Sequence, residues 1–148
     1  VPHPPVMIGG AKQRVLTFAG READIVSMSN VPFDSVNADG LTPDGEARRR
    51  LGWVTDGAGE RISTLDIESS PFFTVITDDP DQAIGSVAEM LGRAPDGLLE
   101  HPNVLIGSVD EIVDRLVERR DRYGVNYVTI QQRELDDFAP IVARLAGT

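Results

Sequence analysis

Short apolar runs alternate along the chain with longer stretches in which apolar residues recur three or four positions apart, a rhythm that predicts strands and helices taking turns. Val6-Met7-Ile8 reads as a buried strand that Gly9-Gly10 ends in a tight loop. From Lys12 to Arg21 the residues Val15, Leu16, Phe18 and Ala19 fall at helical spacing, with Gly20 near the close. Asp24 to Met28 is a second strand, and residues 30–40 have the Asn, Asp, Pro and Gly content of a loop. Thr42-Pro43 has the form of an N-cap followed by proline at the first helical position. The helix it opens is expected to reach about Asp56, stopped by Gly57 and Gly59.

Ile62 to Ile76 is the longest strand-like stretch, and Ser69-Ser70-Pro71 in its middle predicts a bulge or break. Thr77-Asp78-Asp79-Pro80 starts a helix that runs to Gly92, and residues 93–107 read as irregular. Ser108 with Glu111 forms a capping box before the stripe Ile112, Val113, Leu116 and Val117, which ends at Tyr123-Gly124. Asn126 to Ile130 is the last strand. Glu134 to Ala146 is a terminal helix with Leu135, Phe138, Ile141, Val142 and Leu145 on one face.

Regular alternation of this kind implies an α/β fold, a parallel sheet joined by right-handed crossovers. The strands are aliphatic and do not alternate, as in sheets covered on both faces. The 148 residues fit one domain, 1–148, and no solenoid-type repeat interrupts them. Aromatic residues make up 5% of the chain, so aliphatic side chains must do most of the packing. The net charge of −10 repels phosphate backbones, so nucleic acid is not an expected partner. No apolar run approaches the roughly 20 residues needed to span a bilayer, and residues 1–5 lack the pattern of a signal peptide. With no cysteine there is no disulfide framework, and a cytoplasmic location is the expectation.

Three stretches carry a resemblance. The first is Pro4-Pro5-Val6-Met7-Ile8-Gly9-Gly10, continued by Leu16-Thr17-Phe18-Ala19-Gly20-Arg21-Glu22-Ala23-Asp24-Ile25-Val26. The second is Leu105-Ile106-Gly107-Ser108-Val109-Asp110-Glu111-Ile112. The third is Arg122-Tyr123-Gly124-Val125-Asn126-Tyr127-Val128, followed by Phe138-Ala139-Pro140-Ile141-Val142-Ala143-Arg144-Leu145. In order and spacing they resemble the luciferase-like monooxygenase superfamily, with the flavour of its deazaflavin (coenzyme F420) branch. The resemblance implies a TIM (β/α)8 barrel, of which complete examples run to about 250 residues. The chain would then be the C-terminal half, about four βα units matching barrel strands five to eight. It also implies an oxidoreductase or monooxygenase that uses F420 or, alternatively, FMN.

The candidate residues follow from both readings. A glycine turn before a helix offers free N–H groups and the positive end of the helix dipole, which suit a phosphate. The resemblance gives that role to Gly9, Gly10, Ala11, Lys12 and Gln13, although Ala11, Lys12 and Gln13 stand where the common family pattern has glycines and a proline. Ser27, Ser29 and Asn30 end the second strand, on the catalytic face of a barrel, and are the candidates for meeting substrate; they equally suit a polar turn. Asp66, Glu68, Ser69 and Ser70 lie on the third strand, where a carboxylate can serve as acid or base or pair with Arg61. Arg133 is placed to bind an anion or to pair with Glu134 or Asp136. Arg48-Arg49-Arg50 reads as a solvated or salt-bridged helix face. His3 and His101 show no metal-ligand spacing, so no metal is assigned, and no catalytic residue is singled out.

The partners expected are therefore the cofactor and an unidentified small molecule. The alternative is a non-catalytic half barrel. Four strands leave two unpaired edges, which favour association, so a homodimer is expected; a separately made N-terminal half is a further possibility.

Overall fold

The computed structural model describes residues 3–28 and 31–146. Six strands and five helices follow one another: β1 Met7–Gly9, α1 Gln13–Glu22, β2 Ile25–Ser27, α2 Pro43–Ala58, β3 Asp66–Ser69, β4 Phe73–Ile76, α3 Pro80–Leu91, β5 Val104–Gly107, α4 Val109–Tyr123, β6 Val125–Val128 and α5 Leu135–Leu145. Single 3-10 segments, Gly59–Thr64 and Gln132–Glu134, precede β3 and α5.

Local chemistry sets the helix starts. The Thr42 hydroxyl accepts the Gly45 N–H at 3.2 Å, with Pro43 in the first turn. Asp79 does the same for Gln82 at 3.1 Å ahead of Pro80. Ser108 and Glu111 form the expected reciprocal capping box. At the other end, α3 and α4 stop at Gly92 and Gly124, whose φ values of 63° and 68° place them in the left-handed region that glycine enters without a Cβ clash.

The strands make two parallel sheets, one in the order β1-β2-β3-β6 and one of β4 with β5. Ile8, Val26, Ile67 and Val125 lie in register across the first sheet. All four pack with one cluster that takes Leu16 and Ala19 from α1, Ala47 and Val54 from α2, and Tyr123 from α4. One face of this sheet is thus covered by helices. The other face carries the next in-register row, Gly9, Ser27, Glu68 and Tyr127. The second sheet packs Val104 and Ile106 against α3, while Leu105 joins α4 and α5.

Several expectations need correction. Residues 93–107 are not irregular throughout: Val104–Gly107 is a fully buried strand. The stretch Ile62 to Ile76 is not one strand. Its start is a 3-10 turn, and the break at Ser70-Pro71 sends β3 and β4 into different sheets. Gly9 closes β1 and does not belong to the loop. Gly20 and Gly57 lie inside α1 and α2, where they let the two backbones touch. On α5 only Phe138 and Ile141 of the predicted stripe are buried; Leu135 and Val142 flank it and face outward.

Candidate functional site

The C-terminal ends of β1 and β2 bring together part of what the sequence singled out. Gly9 pairs with Ser27, and the Gly10 N–H donates to the Ser27 carbonyl at 3.1 Å. A Cβ at Gly9 would sit 3.4 Å from the Ser27 Cβ, so the two positions share one face. The chain then bends at Ala11 and enters α1 with Lys12 as N-cap, in extended geometry and without a side-chain cap. Hydrogen bonds from Val15 and Leu16 return to the Lys12 carbonyl. The N–H groups of the first turn ahead of them are the orphan donors that every helix start presents. Gly10 is held to its size by Val15, whose Cγ1 would lie 2.6 Å from an added Cβ.

These features fit an anionic group. An uncapped helix start and an exposed Lys12 supply donors, the dipole and a positive charge together. Among the described residues Lys12 has no ion pair. Gln13 faces outward, and it also borders an open depression of about 900 Å3 on the outer side of α1, with Arg14, Val15, Thr17, Phe18 and Arg21. Exposed Val15 and Phe18 lie there among the polar side chains of Gln13, Arg14, Thr17 and Arg21. Ser29 and Asn30, the other two expected substrate contacts, lie outside the described residues.

The row continues into residues that sequence reasoning weighed lightly or missed. Glu68 stands next to Ser27 in register and is buried, and Tyr127 follows it on the free edge strand β6. A register shift between Ile67 and Glu68 makes this row possible. Asn126 is the extra residue on β6, and its side chain accepts the Ile67 N–H at 2.7 Å and donates to Asp66 at 3.0 Å. No pattern in the sequence announces that shift. Among the described residues neither Asp66 nor Glu68 makes an ion pair with Arg61, one of the alternatives weighed for them. Arg61 instead donates to the carbonyls of Gly20 and Ala23, closing the end of α1.

Other candidates turn out to be structural. Arg48 pairs with Asp44, Arg49 with Asp39 and Glu46, and Arg50 with Glu46, so the arginine run is the salt-bridged face expected of it. Arg133 lies 3.7 Å from Glu134. His101 is buried and stacks on Phe33 at 4.1 Å between ring centroids. Its Nδ1 accepts the Asn103 N–H, which leaves the proton on Nε2 for the Pro32 carbonyl at 3.1 Å. Burial, with Arg119 and Arg93 nearby, holds this imidazole below its usual pKa despite the Pro32 bond. His101 therefore fastens the β2–α2 loop to the segment before β5. At the head of α2, burial raises the Asp44 pKa. Hydrogen bonds from Tyr123, Arg122 and Arg48 outweigh it and hold Asp44 below the usual carboxylate range.

Among the described residues no group of side chains is arranged to hold a metal ion, and no helix is long and apolar enough to cross a membrane.

No family model matches the chain, and no curated protein matches its sequence. Solved structures do share its fold. The coenzyme F420-dependent tetrahydromethanopterin reductase from Methanopyrus kandleri superposes with a TM-score of 0.55 at 17% identity, over 85% of this chain and 44% of that one. The monooxygenase RslO1 from Streptomyces bottropensis gives 0.54 at 19%, over 87% and 41%. DmoA from Hyphomicrobium sulfonivorans gives 0.57 at 16%, over 95% and 41%. The class defined is thus an α/β chain with a parallel sheet, sharing the fold of an F420-dependent reductase and of monooxygenases. The chain spans about two-fifths of the length of the structures it matches.

Proposed function

We propose that the chain is the C-terminal part of a luciferase-like oxidoreductase that uses F420 or FMN, and that the turn Gly9 to Gln13 holds the cofactor's phosphate. The observation that carries this reading is the uncapped start of α1, beside the in-register pair Gly9 and Ser27, at the C-terminal ends of parallel strands. The likeness to an F420-dependent reductase and to a monooxygenase supports the same chemistry. A bound deazaflavin or flavin would supply the hydride or oxygen chemistry. The chain's own residues would anchor and orient it. Ser27 would meet substrate or cofactor, and Ser29 and Asn30 are proposed for the same role.

Fluorescence titration of the chain with F420 and with FMN tests this. Saturable binding to one of them, weakened about tenfold or more by Lys12→Glu, which reverses a charge on an exposed side chain without touching the core, would support the reading. Binding that ignores Lys12→Glu would remove the phosphate from this turn. The absence of saturable binding to either cofactor would defeat the reading for the chain as it stands.

A second reading, a half barrel that works by association, has its own support. Both outer strands of the main sheet have a free edge, flanked by exposed Val6, Met7 and Phe18 on one side and Tyr127, Leu135 and Val142 on the other. An apolar groove of about 330 Å3 lies between α4 and α5 beside β6. A second copy would pair edge with edge and bury these residues. Light scattering should then return twice the chain mass of 16.0 kDa, and a monomer would refute it.

A further inference from the structure

Behind the ends of β2 and β3 six parts of the chain meet around a cavity of about 20 Å3. Met28 and Val31 come from the β2–α2 segment, Ala47 from α2, Glu68 and Ser69 from β3, Pro102 and Asn103 from the approach to β5, Arg119 and Tyr123 from α4, and Val125 from β6. Two of these residues bring hydrogen-bond donors that have no partner: Arg119 Nη1 and Asn103 Nδ2. Both residues are almost wholly enclosed, with 4% and 5% of their surface exposed. The guanidinium spends its other amino group on the carbonyls of His101 and Val104. Among the described residues it has no ion pair. Burial pushes its pKa down to about 10, which still leaves it cationic at neutral pH.

Burying a donor without a partner costs free energy, more when it is charged, so two such donors on residues that line one cavity call for an acceptor there. The volume decides its size. A single water needs roughly 10–15 Å3 measured in this way, so the cavity takes one small molecule and excludes phosphate or carboxylate ligands. Glu68 and Ser69 border the same space from the end of β3.

We propose that this cavity is a specific site for one ordered water, accepting from Arg119 Nη1 and Asn103 Nδ2 and donating to the β3 end at Glu68 or Ser69. The water joins α4 and the β5 approach to the strand ends that carry Ser27 and Glu68. It is a structural keystone behind the candidate site, and it holds whether or not the turn at Gly9 binds a cofactor.

The test is a crystal structure of the chain soaked in sodium bromide, with data collected at the bromine edge. A density peak about 2.7–3.2 Å from both donors, without anomalous signal, is expected. An anomalous peak would overturn the proposal in favour of a halide site. A cavity without density would overturn it by showing that the donors are satisfied otherwise. In Arg119→Met the peak should be lost. If it persists, Arg119 does not hold it and the proposal fails. Should that variant not fold, Asn103→Ala gives the same reading from the other donor.

Discussion

Replacing Gly57 by alanine sets two effects of opposite sign against each other, and the structure says which wins. Alanine is the better helix former, by roughly 0.5–1 kcal/mol over glycine in a helix interior. At an open helical site that gain is realised. Gly52 on the same helix is such a site, since a Cβ there would meet nothing within 4 Å. At Gly57 the added Cβ would lie 2.0 Å from the Thr17 carbonyl oxygen, 2.7 Å from its carbon and 2.9 Å from its Cα. These are backbone atoms of α1, so no side chain can swing away; the helices must separate. Gly20 repeats the contact from the other side, its Cβ position 2.2 Å from the Val54 carbonyl oxygen. Overpacking a well-filled core costs typically 1–3 kcal/mol, and separating two helices that share Leu16, Ala19, Val54 and Ala58 puts the cost at the upper end of that range. The net expectation is that Gly57→Ala destabilises by about 2 kcal/mol while Gly52→Ala stabilises by about 0.5–1 kcal/mol. For a chain of this size about 1 kcal/mol moves Tm by roughly 2–4 °C. Thermal unfolding followed by circular dichroism should therefore move in opposite directions for two glycines five residues apart on one helix. If Gly57→Ala melts at or above the parent temperature, the close approach of α1 and α2 is wrong.

Other perturbations follow from single contacts. Ser108→Ala removes one half of the capping box at α4 and should cost about 1 kcal/mol by urea denaturation, with Ser108→Asp retaining most of the stability. Tyr123→Phe removes the 2.7 Å hydrogen bond to Asp44 and should cost about 0.5–1.5 kcal/mol, an effect absent if Asp44 is already changed to Ala. His101 is held neutral in the fold by burial, so the unfolded chain binds its proton first; stability should be full above the ordinary histidine pKa of 6.5 and fall as pH drops from there toward the lowered folded value. Urea midpoints between pH 8 and pH 5.5 should show that decline, and it should flatten in His101→Gln. A parent chain with no decline would show that the stacked imidazole titrates normally.

The legible parts of this fold were those where a local cause sits in adjacent residues. Thr42-Pro43, Asp79-Pro80 and Ser108 with Glu111 announce helix starts because a cap needs only a side-chain oxygen and an N–H three positions on. The break at Ser70-Pro71 was visible for the same reason, proline having no N–H for a ladder. What depended on distant partners was not. Val104, Leu105 and Ile106 are too few to show a period, and they follow a turn-rich segment, so their strand exists only because β4 and three helices enclose it. Gly20 and Gly57 resembled helix stops because a glycine that ends a helix and one that admits a neighbour are the same letter.

The candidate site divides along the same line. Gly9, Gly10 and Lys12 were readable, since strand, turn and helix start are contiguous. The placing of Glu68 and Tyr127 beside Ser27 depends on register across three strands and on the extra residue Asn126. The buried Arg119 and Asn103 donors depend on six segments meeting. The sheet itself supplies the remaining step. Its helix-covered row, Ile8, Val26, Ile67 and Val125, is apolar throughout, whereas the opposite row, Gly9, Ser27, Glu68 and Tyr127, carries two hydroxyls and a carboxylate. Polar side chains buried in such a row cost free energy unless each is hydrogen-bonded, a cost that aliphatic side chains would avoid. That polar row sits at or near the C-terminal ends of parallel strands and runs from one outer strand of the sheet to the other.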